Sequence, residues 1–534
     1  MTDDSNVIEV TNFSLSLKQN KVTTEILKDI SISVKKGERW GITGESGAGK
    51  SMLIYALASL LPEQSIETTG SIQLTDRDQC MELLAQPYRK RRAVCAKRLA
   101  MILQDSINAL NPFETIEHQW KETVLFHHPE KKRQRLDLHF QERLKQFGLM
   151  NDRDILKKYP HQLSGGMKQR IAIAMALESN ADILIADEPT TSLDSVNQRK
   201  LIEYIENICR QRQMTLLYIS HNPGIIQKLC THVAIMKAGE LVESGKVEEI
   251  LKHPKTDIAR HLLGETKKLY KKRRKENVLL AQEEEVLRIE KVDKYFSNKK
   301  ILNTVSFQLY QGEILGVLGV SGCGKSTLAK MILGLLSPDS GEIYYREKRI
   351  DHLTDRGYRP FRKEIQMVFQ NPFDCLDPGK KILDLLMEPL KIWESKRSIR
   401  DKRNMVKQVC KDCGLTERCL DRYPGEFSGG QLQRIALARA LVMSPDVLVA
   451  DEIVSALDVS VQNQILQMLR RLKRKYGLSV LFITHDLAVM RAVADRVMVV
   501  ENGEIVQIGE AEYILEQSRN ELVRNLREAA FYIK

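Results

Sequence analysis

Two glycine loops carry the plainest chemistry in this chain. Gly44, Glu45, Ser46, Gly47, Ala48, Gly49, Lys50, Ser51 and Met52 form one; Gly319, Val320, Ser321, Gly322, Cys323, Gly324, Lys325, Ser326 and Thr327 form the other. Both fit G-x-x-x-x-G-K-[ST]. Glycines at this spacing let successive amides turn inward on phosphate oxygens, and the helix that follows adds its positive N-terminal end. Lys50 and Lys325 can neutralise β- and γ-phosphate charge, and the Ser51 and Ser326 hydroxyls can ligate Mg²⁺. The bland alternative is a glycine turn between strand and helix, and two complete matches in register leave it no room.

Downstream of each loop an apolar run ends in two carboxylates, Asp187-Glu188 and Asp451-Glu452. An acid at the end of a buried strand costs free energy unless something uses it. Beside a phosphate loop the user is Mg²⁺ on a nucleotide, so Asp187 and Asp451 are candidates for holding that ion directly or through water. Glu188 and Glu452 are candidates for polarising the attacking water, since a general base must lie within hydrogen-bond reach of the proton it takes. His221 and His485, each after an apolar strand and a Ser or Thr, are placed to orient water and γ-phosphate. Ser164-Gly165-Gly166 and Ser428-Gly429-Gly430 open helices and make a second anion-binding end in each half. A plain N-cap is the alternative. A second such end is surplus beside a complete phosphate loop unless it serves a nucleotide held by the other half.

These motifs are spaced by an internal repeat, which settles the architecture. The glycine loops recur at an offset of 275; LSGG/FSGG, LIADE/LVADE and SH/TH recur at 264. The first copy therefore holds 11 more residues between loop and serine-glycine motif, nine of them before Gln104. They lie around DRDQCMELLAQPYRKRRAVC, which predicts an enlarged surface loop. The domain bounds read as 1–265 and 286–534, with the charged stretch 266–285 as a linker. VIEVTNFSLSL and ILKDISISV alternate like half-buried strands, whereas LAMIL, DILIA and TLLYI are the continuous apolar runs of strands buried on both faces. Residues 113–150 carry a helical pattern, as does VNQRKLIEYIENICRQR. The fold class is α/β, in tandem.

Composition adds limits. In 534 residues, 43% hydrophobic and 28% charged exclude a disordered or fibrous chain. No run of 18 apolar residues occurs, and the start lacks the pattern of a secretory signal. Nine scattered cysteines fit a reducing cytoplasm. Cys410, Cys413 and Cys419 raise a metal question, but three thiols without a fourth ligand read as helix cysteines. A net charge of +12 suits an anionic partner without naming one.

Taken in order, these residues resemble the ATP-binding cassette (ABC) ATPases. Phosphate loop, glutamine (Gln104, Gln370), serine-glycine signature, acid pair, SLD or ALD segment and histidine follow one another in each half. The resemblance implies two tandem P-loop ABC-type nucleotide-binding domains, each a mostly parallel core sheet with an antiparallel β subdomain and an inserted helical subdomain. It implies Mg²⁺-ATP as ligand, with Gln104 and Gln370 joining Ser51, Ser326, Asp187 and Asp451 around the metal. It also implies that the halves pair head to tail. LSGGMKQRIAIAMAL with ADEPTTSLDSVNQ, and YPGEFSGGQLQRIALARAL with ADEIVSALDVSVQNQIL, look like the two ATPase subunits of the oligopeptide/dipeptide/nickel importer family, fused. That implies ATP-driven import of peptides, or of nickel and metal chelates. The implied partners are two membrane permeases and an extracytoplasmic binding protein, and the implied location is the cytoplasmic face of the membrane, with no nucleic acid.

Three departures stand out. Met167 replaces a glutamine after LSGG, which that subfamily also shows. Ile453 replaces the proline after Glu452, which is expected to loosen the strand exit. The adenine-stacking aromatic of the family matches Phe296 in the second copy, but Leu17 in the first. A ribosome-associated tandem-cassette factor is the rival class; its long charged linker and its asparagine-histidine before the D-loop are absent, Thr191-Ser192 and Ser455-Ala456 standing there. A sugar-importer tandem ATPase is disfavoured because GVSGCGKS is intact.

Overall fold

The computed structural model describes residues 6–19, 22–61, 65–76, 79–103, 110–131, 136–149, 154–179, 181–190, 193–270, 284–296, 299–320, 322–455 and 457–530. Gln104, Ser321, Thr191-Ser192, Ala456 and most of the linker lie outside them. The chain forms two compact units, with the main division after Thr266.

In the first unit the strand that feeds the glycine loop, Arg39–Gly44, lies inside a six-stranded sheet. Thr215–Ile219 and His232–Lys237 flank it in parallel. Ile183–Asp187 and then Leu99–Ile102 continue the parallel run, and Glu240–Lys246 closes the other edge antiparallel. Every residue of Ile183–Asp187 and Thr215–Ile219 is buried, as their unbroken apolar sequence requires. Register then decides function. Asp187 pairs with Ile219, and Ile219 with Ile42. The acid pair, the segment leading to His221 and the glycine loop therefore leave one sheet edge, the carboxyl end of parallel strands where ligands of open α/β sheets bind.

The second unit repeats the plan around Ile314–Leu318, with Ser479–Thr484 and Arg496–Glu501 as parallel neighbours. Val447–Asp451 and Ile365–Val368 follow outward, and Glu504–Glu510 is the antiparallel edge. Asp451 pairs with Ile483, and Ile483 with Val317. Each unit also carries a four-stranded antiparallel sheet containing Asn6–Gln19 or Glu285–Phe296, and an inserted pair of helices. Those helices are Ile116–His127 with Leu136–Gln146, and Ile382–Trp393 with Ile399–Asp412. Ile116, Trp120 and Val124 face Leu136, Phe140 and Leu144 in one apolar core, a four-residue spacing that buries one stripe of each helix. Among the described residues no helix is long and apolar enough to cross a membrane.

The extra residues of the first copy do not form one surface loop. Twenty positions separate Lys50 from Gly70, against sixteen between Lys325 and Gly341, so part of the excess precedes the hairpin. Most of the rest lengthens that hairpin, which has four paired positions in the first unit and two in the second; the helix Tyr88–Arg98 that follows, anchored by buried Cys95, stands where the second unit has Asp355–Tyr358 and Phe361–Glu364. Strand and helix satisfy backbone groups that a loop would leave to water. Cys410, Cys413 and Cys419 are buried in the apolar core of the second unit as free thiols.

Gly70 and Gly341 sit at φ +87° and +88°, and a Cβ on Gly341 would lie 2.4 Å from the Lys291 carbonyl oxygen. Gly341→Ala should therefore destabilise the second unit by about 1–3 kcal/mol, read as a lower urea midpoint.

Candidate functional site

Each glycine loop is closed by its own lysine. The Lys50 ammonium donates to the carbonyl oxygens of Gly44 and Glu45, both at 2.9 Å. Lys325 donates to Gly319 at 2.8 Å and to Val320 at 2.9 Å. Both side chains are largely buried, so their charge is fixed inside the loop. The helices Lys50–Leu57 and Lys325–Ile332 start from Gly49 and Gly324, at φ +93° and +104°. A Cβ there would meet Leu27 Cδ2 at 2.7 Å or Leu302 Cδ2 at 2.6 Å, so conformation and space both demand glycine.

The acid pair stands beside this charge. Asp187 is buried and neither carboxylate oxygen has a hydrogen-bond partner. Burial pushes its carboxyl up; the Ser51 hydroxyl and Lys50 oppose that, while Glu188 adds to it. Asp451 is likewise raised by burial and by Glu452, against Ser326, Lys325 and Lys330. A buried carboxylate with both oxygens unsatisfied, next to a serine hydroxyl and a phosphate loop, is an all-oxygen donor set that suits Mg²⁺.

Glu188 and Glu452 adopt φ +43° and +48°, a strained conformation for a side chain other than glycine. Their amides remain tied to the next strand, Glu188 N to Ile219 O at 3.2 Å and Glu452 N to Ile483 O at 2.9 Å. The turn swings each carboxylate onto the histidine: Glu188 Oε1 lies 3.3 Å from His221 Nδ1, and Glu452 Oε1 lies 3.0 Å from His485 Nδ1. Gln370 Nε2 donates to the other Glu452 oxygen at 2.9 Å. Burial alone would raise Glu452, but the His485 hydrogen bond and charge hold it below its ordinary value. Burial would lower His485, and Glu452 outweighs that and raises it. A water polarised by this carboxylate would find a base kept ionised.

The serine-glycine motifs open their helices as expected. Ser164 accepts from Met167 N at 3.4 Å at the start of Gly165–Ala176. Ser428 caps Gly429–Leu441 in a reciprocal box, in which Gln431 Oε1 accepts from Ser428 N at 3.1 Å. Met167 offers only a weakly accepting thioether sulfur in place of that amide oxygen.

The profile of the ABC transporter family matches residues 27–191 and 302–455. The chain is 35% identical to the glutathione import ATP-binding protein GsiA of Escherichia coli K12 over 98% of its length and 89% of that protein. It is 34% identical to the protein of the same name from Pectobacterium atrosepticum, over 99% and 90%. The chain belongs to the ABC transporter family. It is an ABC transporter ATP-binding protein, an ATPase. Among solved structures, cbiO1 of Clostridium perfringens, part of the ABC transporter complex cbiONQ, matches 44% of the chain and 92% of its own at 28% identity and TM-score 0.41.

Two departures from the ABC pattern can now be placed. Ile453 does not loosen the strand exit. It is buried, and Glu452 keeps the same backbone turn and strand tie as Glu188, which precedes Pro189. Leu17 and Phe296 do correspond: each lies five residues past a positive-φ residue, Asn12 or Lys291, in the same strand of its sheet. Phe296 is half exposed, with Lys294 Nζ 5.9 Å from its ring centre, and is open for stacking.

Sequence reasoning missed a set of glutamines, of which Gln169 and Gln462 are buried. Gln169 donates to Pro189 O at 2.5 Å, just past Glu188. Gln198 reaches Thr190 Oγ1 at 3.0 Å, and its counterpart Gln462 reaches Val454 O at 2.9 Å. They hold the backbone that bends each catalytic candidate into place. The clue was their recurrence in both copies, in QRIA and in the VNQ and VQNQ segments.

Because burial raises the Asp187 carboxyl more than Ser51 and Lys50 lower it, Asp187→Asn should stabilise the nucleotide-free protein by about 1–2 kcal/mol while abolishing Mg²⁺-dependent nucleotide binding at that loop. Thermal unfolding with and without Mg²⁺-ATP measures both effects.

Proposed function

We propose that this chain is the ATP-hydrolysing subunit of an ABC importer for small peptides or peptide-like cargo, working at the cytoplasmic face of a membrane with two permeases and an extracytoplasmic binding protein. The observation that carries this reading is similarity along nearly the whole chain, both units included, to a protein named for glutathione import. Nickel and metal chelates are the other cargo class of the importers that the two halves resemble.

In the proposed cycle Lys50 and Lys325 hold the β- and γ-phosphates in their loops. Ser51 and Asp187, and Ser326 and Asp451, would hold Mg²⁺, with Gln104 and Gln370 completing the shell. The ion, when bound, neutralises phosphate charge and fixes the oxygens for in-line attack. Glu188 and Glu452 take the proton of the attacking water, and His221 and His485 orient those carboxylates. The serine-glycine helix ends, Ser164-Gly165-Gly166 and Ser428-Gly429-Gly430, serve in this reading as further γ-phosphate contacts. ATP thus favours a closed state and hydrolysis releases it, a ligand biasing a two-state element.

Two experiments test this. The double variant Glu188→Gln/Glu452→Gln should lose turnover by about 10²–10⁴-fold while still binding ATP, and unimpaired turnover would remove the base assignment. Affinity capture from cells should bring down multi-span membrane proteins in the ATP-bound variant. Co-sedimentation with ribosomes instead would overturn the importer in favour of a translation factor.

The two loops should also differ in affinity. Lys50→Ala leaves the loop served by Phe296, and Lys325→Ala leaves the loop with Leu17. Nucleotide titration should find the former tighter by roughly 0.5–1.5 kcal/mol, the value of one aromatic stacking partner. Equal affinities would contradict the assignment of Phe296.

A further inference from the structure

Glu178 is a buried acid that the proposed cycle does not use, its side chain 1% exposed. It lies just past the end of the helix Gly165–Ala176, whose other end is Ser164-Gly165-Gly166. An acid there is doubly costly, since it leaves water and faces the negative end of a helix. Four side chains answer it. Trp120 Nε1 and Arg143 Nε each donate to Oε1 at 3.2 Å, and His139 Nε2 lies 2.9 Å from Oε2. His128 Nε2 donates to the Glu178 carbonyl oxygen at 2.8 Å. Trp120 belongs to the first inserted helix, His128 ends it, and His139 and Arg143 belong to the second. These bonds all run from the inserted pair to the trailing end of the serine-glycine helix. Arg143 extends the tie, donating from Nη1 to the Tyr204 hydroxyl at 3.2 Å on the helix Ser195–Gln211.

The second unit builds the same junction from apolar residues. Leu386 matches Trp120, each the fifth residue of a 12-residue helix. Met405 and Val409 match His139 and Arg143, counted back from Gly414 and Gly148, which both follow their helices at positive φ. Val442 stands 14 residues past Ser428, as Glu178 stands 14 past Ser164. Leu386, Val409 and Val442 are buried in one apolar core, and Met405 packs against it. An apolar junction thus suffices to fold the insertion, and good apolar packing is commonly at least as stabilising as a buried ionic cluster. What the charged set adds is direction. Apolar surfaces attract without orientation, whereas a carboxylate held by an indole, an imidazole and a guanidinium has one position. We propose that Glu178 is a positioning residue: it locks the inserted helices of the first unit to the serine-glycine helix, so that Ser164-Gly165-Gly166 moves only with them, while the apolar junction of the second unit lets the two shift against each other. This rests on the reading that those helix ends contact γ-phosphate.

The test gives the first unit, in the full chain, the second unit's own junction: Trp120→Leu/His139→Met/Arg143→Val/Glu178→Val. Genetically encoded nitroxides at Glu122 and Lys168, one on the inserted helix and one on the serine-glycine helix, report the distance between the two by pulsed electron paramagnetic resonance. One narrow distance is expected with Glu178 in place, and a distribution about twofold broader once the directional bonds are gone. Glu178→Gln keeps an acceptor for Trp120 and drops the charge facing Arg143 and His139. It should give an intermediate width, and it guards against misfolding of the quadruple variant. ATP turnover by the quadruple variant should fall about fivefold in kcat with KM unchanged, because the glycine loops that bind ATP are untouched. Equal widths in all three proteins would overturn the lock. A broadened distance with unchanged kcat would leave the lock standing and remove the reading that Ser164 serves a nucleotide.

Discussion

A carboxylate pair at the exit of a fully buried strand is the constraint around which each unit is built. Asp187 and Asp451 end strands with no wet face, and Glu188 and Glu452 follow in backbone turns that side chains avoid. Such an arrangement is unfavourable by itself. It persists because the strand register is over-determined by apolar neighbours on both sides, and because a lysine charge is pinned a short distance away by the carbonyls of its own loop. The parallel sheet, the glycine loop and the helix behind it are the means of bringing one fixed cation and two strained anions to the same edge. Phosphate and a divalent cation complete that electrostatic set.

Duplication shows which parts of the set are obligatory. Lysine, serine, both acids and the histidine recur, and so do the backbone turns of Glu188 and Glu452. Proline after the glutamate does not, because Ile453 is held by packing instead. The reciprocal cap at Ser428 has lost its partner at Met167, and the ring at Phe296 is an aliphatic side chain at Leu17. What varies lies one step from the reacting groups. It sets how tightly a ligand is held and leaves the position of the base alone.

The motifs were legible because phosphate chemistry dictates both residue type and spacing, and the strands because burial on two faces writes an unbroken apolar run such as DILIA or TLLYI. The helical insertion showed in its periodicity. Three things were not legible, each for a physical reason. The positive φ of Glu188 and Glu452 leaves no mark in residue type, since glutamate has no preference for it. The buried glutamines Gln169 and Gln462 act on backbone carbonyls, and sequence shows side chains rather than the backbone they hold. The extra residues before Gln104 looked like one loop because their composition is polar. They divide between the stretch before the hairpin and a longer hairpin, whose few alternating positions are too short a signal to announce an element.

Gln370 shows how an event at the base can be felt elsewhere in its own unit. It follows the edge strand Ile365–Val368, touches Glu452, and precedes the chain that becomes the helices Ile382–Trp393 and Ile399–Asp412. A change in what Glu452 holds, from water to product to nothing, changes a hydrogen bond to the segment on which that insertion is hung. Leu386, Leu390, Val406 and Cys410 of the insertion share one close-packed apolar core with sheet residues such as Leu448 and Phe482, so a shift at its root is transmitted through packed side chains. Energy released at a strand edge can therefore leave the unit only through an element with two discrete arrangements. Among the described residues Gln370 both bonds the catalytic candidate and leads into the chain of the inserted helices, and it is the natural place for that exchange to start.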